Sequence, residues 1–374
     1  MFVKNILYIC IDMSTSESIN FHSTGNKSFS RELNQQVNAY FKVKGITKYA
    51  DYRMVIKTVF MLSLFITPYV LLVSDLFNVL GMFILFSIMG VGKAGVGLSV
   101  MHDANHGSYS KYPWVNKVLG YTMNMLGGNA TNWKIQHNVL HHSYTNIEGF
   151  DEDIMSAAIL RFSPHTKLRK IHRYQYIYAW FLYGLMTITW LLVKDWKQMW
   201  LYQRDGLIKK QRLTPFRAWS WLSMTKVFYI AYMFVIPLLA TSYAWYLLIL
   251  GFILMHYITG FFLTIIFQPA HVVVDTEFPQ PDQKNVIESS WAEHQLHTTA
   301  NFAHKNKILS WFIGGLNYQI EHHLFPHICH IHYKKISSIV RETAAKYGLP
   351  YHSNPTFFGA IRSHGKLLKS LGRA

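Results

Sequence analysis

Residues 175–193 read QYIYAWFLYGLMTITWLLV. A helix rising about 1.5 Å per residue needs about 20 apolar residues to cross a bilayer, so this stretch must be weighed as a span. Its reading decides the fold, because one span more or fewer moves everything after it to the other side of the membrane. Arg161, Lys167, Arg169, Lys170 and Arg173 precede it, and Lys194, Lys197, Arg204, Lys209, Lys210, Arg212 and Arg217 follow. Short loops rich in Lys and Arg stay cytoplasmic. A segment basic at both ends and rich in Tyr and Trp is therefore expected to lie in the membrane interface.

Four other apolar stretches flank it, at about 54–74, 77–99, 226–243 and 245–267. The first two are separated only by Ser74–Phe77, and the last two meet near Thr241 and Ser242. Neither turn contains Lys or Arg, as expected on the non-cytoplasmic side. The expected fold is an all-α integral membrane protein with four transmembrane helices in two hairpins. Residues 1–53 form a cytoplasmic N-terminal segment, and 54–374 the main domain with a cytoplasmic helical cap. Both termini then share the side of the large polar regions.

Composition agrees. Hydrophobic residues make up 51% of the chain and charged ones 15%, against roughly 25% charged in soluble domains. The net charge of +17 would also suit a nucleic-acid binder, but here the basic residues flank apolar runs instead of forming a stripe on a polar domain. No nucleic-acid partner is expected; a lipid bilayer is. Two cysteines, Cys10 and Cys329, exclude a disulfide framework or a thiolate metal site. The N-terminus lacks a signal-peptide pattern, and residues 1–12 are read as lying upstream of a natural start at Met13.

The polar regions beside the spans hold clustered histidines. His102 and His106 stand four apart, as do His137 and His141 with His142 adjacent, a spacing that places rings on one face of a helix. His322 and His323 form a third cluster, and His271 directly follows the last apolar stretch. Singly, each has an ordinary explanation as a surface pair or a hydrogen-bonded helix end. With four spans, all fall on one side. Eight histidines exceed the four ligands of a closed zinc site and suffice for two metals. Zn, Cu, Ni and Fe all accept imidazole, and affinity order does not choose among them.

HDANH (102–106), HNVLHH (137–142) and QIEHH (319–323) resemble, in this order, the motifs of the membrane fatty acid desaturases, with similarity over about residues 30–350. The stretch from Trp291 to Tyr333, which contains WAEHQLHTTANF and GGLNYQIEHHLFPHICHIHY, is most similar to the front-end group. Those enzymes insert a double bond between an existing one and the carboxyl end. The resemblance implies two Fe ions held by His102, His106, His137, His141, His142, His322 and His323, with O2 as co-substrate. His271 occupies the place of an isolated metal-binding histidine in stearoyl-type members. Gln319 stands where other branches carry a histidine, as either an iron ligand or a hydrogen-bonding neighbour.

Asp103, Asn138, Asn146, Asp151, Asp153, Asn317 and Glu321 are expected to orient imidazole N–H groups, which metal-bound histidines require. His294, His297, His327, His330 and His332 read as structural or surface residues, and Gln295 and Asn301 as polar constants of the front-end pattern. The implied activity is formation of a cis double bond in a fatty acyl lipid or acyl-CoA. The HPGG haem motif of a fused cytochrome b5 domain is not found, so electrons are expected from a separate donor such as ferredoxin or cytochrome b5. The basic face suits an acidic donor, and equally an anionic lipid. A hydroxylase on the same scaffold is the rival enzyme. A histidine-rich metal transporter would need ionisable residues within the spans, where His256 is the one clear histidine.

Overall fold

A computed structural model describes residues 19–21, 27–155 and 158–373; the reading of residues 1–12 lies outside them. In chain order the principal helices are α1 (Lys27–Lys44), α2 (Tyr52–Val73), α3 (Val79–Gly95), α4 (Ala130–Trp133), α5 (Gln175–Gly184), α6 (Asp195–Arg204), α7 (Pro215–Ile230), α8 (Trp245–His271), α9 (Trp291–Thr298), α10 (Gln319–Leu324), α11 (Tyr333–Lys346) and α12 (Phe357–Leu371). Side chains cap the N-termini of the first three long apolar helices. Asp51, Asn78 and Thr214 accept the amides of Arg53, Gly81 and Arg217, satisfying donors that helix geometry leaves free.

Four helices are long and apolar enough to cross a membrane: Tyr52–Val73, Val79–Asn105, Pro215–Ala240 and Trp245–His271. The second outruns its expected end at 99 because a π-helical stretch, Val96–Met101, carries α3 unbroken into His102–Asn105. The third begins at Pro215, well before 226, because Lys226 is accommodated inside the fold. Its ammonium lies 2.5 Å from the buried Asp195 carboxylate.

Glycines set how these helices pack. A Cβ on Gly92 or Gly95 would strike Leu64, Phe65 or Met61, so α2 runs antiparallel to α3. A Cβ on Gly90 would strike Met255 and Ile258, Gly97 faces Leu263, and Gly251 faces Phe86, so α8 runs parallel to α3. Close backbone approach over small residues is how apolar helices associate where no hydrophobic force separates protein from lipid.

The stretch that opened the question is broken. Helices Lys170–Gly184 and Met186–Arg204 meet at 60°. Through the bend the chain runs antiparallel to α8: the Tyr183 carbonyl accepts from Thr264, and Thr187, just past the break, donates to the His256 carbonyl at 2.8 Å. After the bend, Gln198 donates to Gln136 at 2.9 Å, on the stretch that carries the second histidine cluster.

The fold is mostly helical, but not all-α. Strand β1 (Asn20–Phe21) pairs in parallel with β2 (Val286–Ile287), and β3 (Ala300–Phe302) with β4 (His352–Asn354). Two or three residues are too few to show the alternation by which strands are read from sequence. Near them α1 packs on α11 around Phe29, Leu33, Val37, Ile336 and Val340.

Candidate metal centre

His102 and His106 follow the π-helical end of α3, His271 ends α8, His137, His141 and His142 follow α4, and His322 and His323 lie on α10. Ring nitrogens of His102, His106, His137 and His322 lie within 4.8 Å of one another. Those of His141, His271 and His323 form a second such group. His142 joins the two, because its ring nitrogens group with those of His322 from the first and His323 from the second, and its Nε2 lies 3.0 Å from His322 Nε2.

The α-helical spacing rule needs correction here. Lys134–His141 is π-helical, and its wider turn brings residues four and five apart to one side. His137 therefore stacks on His141, with centroids 5.3 Å apart, and also approaches His142. An α-helix would not turn all three toward one centre.

Four of the Nδ1 atoms find oxygens, whereas those of His102 and His142 have no hydrogen-bond partner among the described residues. His141 Nδ1 donates to Asp151 at 3.1 Å and faces Asp153 at 3.4 Å. His323 Nδ1 faces Gln295 Oε1 at 2.8 Å, His322 Nδ1 the Tyr333 hydroxyl at 3.2 Å, and His271 Nδ1 the Thr298 carbonyl at 3.3 Å. Inward, Nε2 of His102, His106, His271 and His323 is buried without a hydrogen-bond partner among the described residues. Buried polar atoms are rarely left orphaned. A cluster of them on converging imidazoles fits metal ligation, and the Nδ1 contacts are the outer support such ligands need.

Burial, together with neighbouring imidazoles, pushes His137, His142, His322 and His323 well below the usual histidine range. Neutral rings are what a metal requires. His141 differs: burial pulls it down, but Asp151 and Asp153 outweigh that and raise it to about 9.

Of the seven residues expected to orient imidazoles, Asp103, Asp151 and Asp153 face one; Asp103 lies 3.7 Å from His102 Nδ1 and 2.8 Å from His330 Nδ1. The other four act elsewhere. Asn138 donates to the Asn105 carbonyl, and Asn146 donates to the carbonyls of His271, Glu277 and Thr298. Asn317 donates to Ser310. Glu321 accepts from Asn301 and Tyr351, on α10 but directed to the strand pair. Amides and carboxylates near a ligand in sequence often serve the backbone that carries it.

Gln319 is buried, with its Nε2 unpartnered among the described residues. It stands three and four residues before His322 and His323, on their face of α10. His294 is buried against the Thr145 carbonyl and His332 against that of Tyr49. His330 links Asp103 to the buried Lys57 at 2.7 Å. Gln295 and Tyr333 were missed as imidazole partners, since no spacing ties them to rings 28 and 11 residues away.

A partly open pocket, with about 490 Å³ of free space including its mouth, adjoins the first group. Its lining advances in rungs along the parallel α3 and α8: His102 with Phe267, Gly97 with Leu263, Lys93 with Thr259. Trp133, Trp190, Met123 and Leu126 add apolar walls.

Fold and site define a helical membrane protein with a buried, all-imidazole candidate metal centre beside an apolar cavity. The chain belongs to the fatty acid desaturase family, whose profile, described as Fatty acid desaturase, matches residues 76–355. It is 37% identical over 362 residues to an sn-1 linoleoyl-lipid 6-desaturase of Arthrospira platensis, covering 96% of each chain. Another sn-1 linoleoyl-lipid 6-desaturase, from Synechocystis sp., is 37% identical over 97% of this chain and all of its own. An acyl-lipid (8-3)-desaturase of Physcomitrium patens is 32% identical over 96% of this chain and 75% of its own. The chain is therefore an oxidoreductase of the front-end desaturase group.

Proposed function

We propose that this desaturase acts on acyl chains esterified in membrane lipids, placing a cis double bond on the carboxyl side of one already present. The observation that carries the proposal is the junction of eight converging histidines with an apolar cavity whose first rung is His102. The lipid-bound substrate, in preference to acyl-CoA, is supported by relatives named for acyl-lipid substrates across nearly the whole chain.

His102, His106, His137 and His322 would hold one iron, and His141, His271 and His323 the other. His142 would stand between them, and Gln319, three residues before His322 on α10, would bind iron or hydrogen-bond beside it. Two iron ions with O2 supply the oxidising power to remove two hydrogens from adjacent methylenes. The chain's own part is to hold neutral rings with Nε2 inward, to keep His141 Nδ1–H donating to Asp151, and to exclude water. The cavity fixes which carbon pair stands beside the centre, because position sets selectivity among equivalent methylenes.

The four spans form two hairpins beneath a cytoplasmic cap, and the bent segment 170–204 enters the bundle and returns to the same side. The termini and the centre face the cytoplasm, where a separate donor, ferredoxin or cytochrome b5, delivers electrons to the basic surface.

The test is expression in a host lacking polyunsaturated lipids, fed defined fatty acids, with double-bond positions read by mass spectrometry in each lipid class. New double bonds on the carboxyl side of an existing one, appearing first in complex lipids, are expected. Hydroxylated products, or bonds only on the methyl side, would overturn the reading. His141→Ala should abolish turnover while the protein still inserts.

A further inference from the structure

The cavity described above does not end on hydrocarbon. The rung farthest from His102 along α3 and α8 carries Lys93 and Thr259, with Thr187 beside them. Lys93 is buried within α3, and among the described residues no carboxylate pairs with it. Its ammonium instead lies 3.0 Å from the Tyr229 hydroxyl of α7 and 3.2 Å from the His256 ring of α8. Tyr229 Oη and His256 Nε2 are 2.8 Å apart, and the Thr187 hydroxyl lies 3.0 Å from His256 Nδ1. Four elements thus meet in one polar knot within the bundle, three residues along α7 from the buried Lys226 that pairs with Asp195. The nine residues from Lys93 to His102 place it about 13 Å from the centre along the helix axis.

An ionisable group at this depth is costly and is retained for a reason. The knot is remote from the ring nitrogens, and salt bridging does not account for it. What it does face is the cavity. We propose that Lys93, held by Tyr229, His256 and Thr187, is the floor against which the far end of the acyl chain stops, so that these residues set accepted chain length. The inference rests on the acyl desaturase reading above.

An apolar floor yields, because side chains repack and each further methylene gains by burial. A polar floor gives no such gain: a longer chain must break the hydrogen bonds that hold the lysine and leave its partners unpaired. A shorter chain leaves the floor uncovered beside empty space. Selection is then two-sided, and it operates on the segment beyond the centre. Changing the floor should alter which chains are accepted without moving the bond counted from the carboxyl end.

The experiment is competition in cells among the preferred fatty acid and its homologues two carbons longer and two carbons shorter at the methyl end. The readout is the product ratio in wild type, Lys93→Ala and Thr187→Leu. Shortening the lysine should raise use of the longer chain roughly tenfold relative to the preferred one, within the range that one or two methylenes confer in apolar sites. Thr187→Leu, which fills the inner end, should shift preference the opposite way, toward the homologue two carbons shorter. Both should keep the wild-type bond position. Unchanged ratios in whichever variant accumulates, with wild type active, would overturn the floor while leaving the desaturase reading intact. A wild type that desaturates none of the fed acids would instead overturn that reading.

Discussion

Four of the candidate ligand rings, His141, His271, His322 and His323, are backed by an oxygen at Nδ1, and those oxygens carry the sharpest predictions at the scale of the residue. Gln295 accepts from His323 Nδ1 while also receiving the Thr145 hydroxyl at 2.9 Å. Gln295→Leu removes that acceptor from a buried ring, and a loss of about 10- to 100-fold in metal affinity or turnover is expected. Iron content per protein, measured beside turnover, would separate failure to bind from failure to react. His141 gives a pH-dependent counterpart. Its pKa in the metal-free fold is raised to about 9, so its contribution to folding stability is full below the ordinary value near 6.5 and gone above about 9. Below 9 the ring carries a proton on each nitrogen, and iron must displace the one on Nε2. Fe(II) affinity of the metal-free protein should therefore weaken as pH falls below 9, with about one proton released per His141 engaged. Asp151→Asn should move that dependence to lower pH, and titration in buffers of different ionisation enthalpy would show it. The candidate ligands were legible in sequence because two clusters repeat a four-residue spacing and a third is an adjacent pair. Their supports were not, since Gln295 and Tyr333 reach the site only through tertiary folding.

At the scale of the element, helix geometry and turns decide whether correct residues meet. The spacing of His137, His141 and His142 predicts an α-helical face, and the fold answers with a π-helix that no propensity foretells. Likewise, Gly314 and Gly315 before α10 look like ordinary turn residues. Gly314 adopts φ +64°, and a Cβ there would strike the Leu98 carbonyl and Ser99 on the π-helical end of α3. This contact seats the turn into α10 directly against the helix that carries His102. Gly314→Ala should meet both a left-handed backbone and a steric clash, costing on the order of 1–3 kcal/mol. Lower thermal stability and lower iron content are expected together, although no ligand is altered. Tyr351→Phe probes the other side of α10. Burial raises the Glu321 carboxyl to about 7, with the Tyr351 and Asn301 hydrogen bonds opposing that rise. Removing the Tyr351 hydroxyl should push it higher and cost about 1–3 kcal/mol of stability, read as an earlier melting transition.

For the whole molecule, the question posed by 175–193 becomes one of parity. The charge pattern keeps both flanks on one side, and helix direction now bears on the same point. α3 and α8 run parallel and end together at the histidines. Between them the chain must make an odd number of crossings, and α7 supplies one. A full crossing by 170–204 would make the number even and force α8 to run antiparallel to α3. The 60° bend and the return of Gln198 to Gln136 fit a segment that enters and comes back. Helix number was legible in the sequence because apolar length is a local property. The bend was not, because it depends on Thr187 meeting His256 and on Lys226 meeting Asp195 and the Trp190 carbonyl. Single cysteines placed at Leu168, Lys209 and Leu76, in a chain with Cys10 and Cys329 replaced by alanine, test the parity directly. With an impermeant maleimide on oriented vesicles, Leu168→Cys and Lys209→Cys should react from the same side and Leu76→Cys from the other. Reaction of the first two from opposite sides would mean a fifth span, and would require His102 and His271 to reach one centre from opposite faces of the membrane.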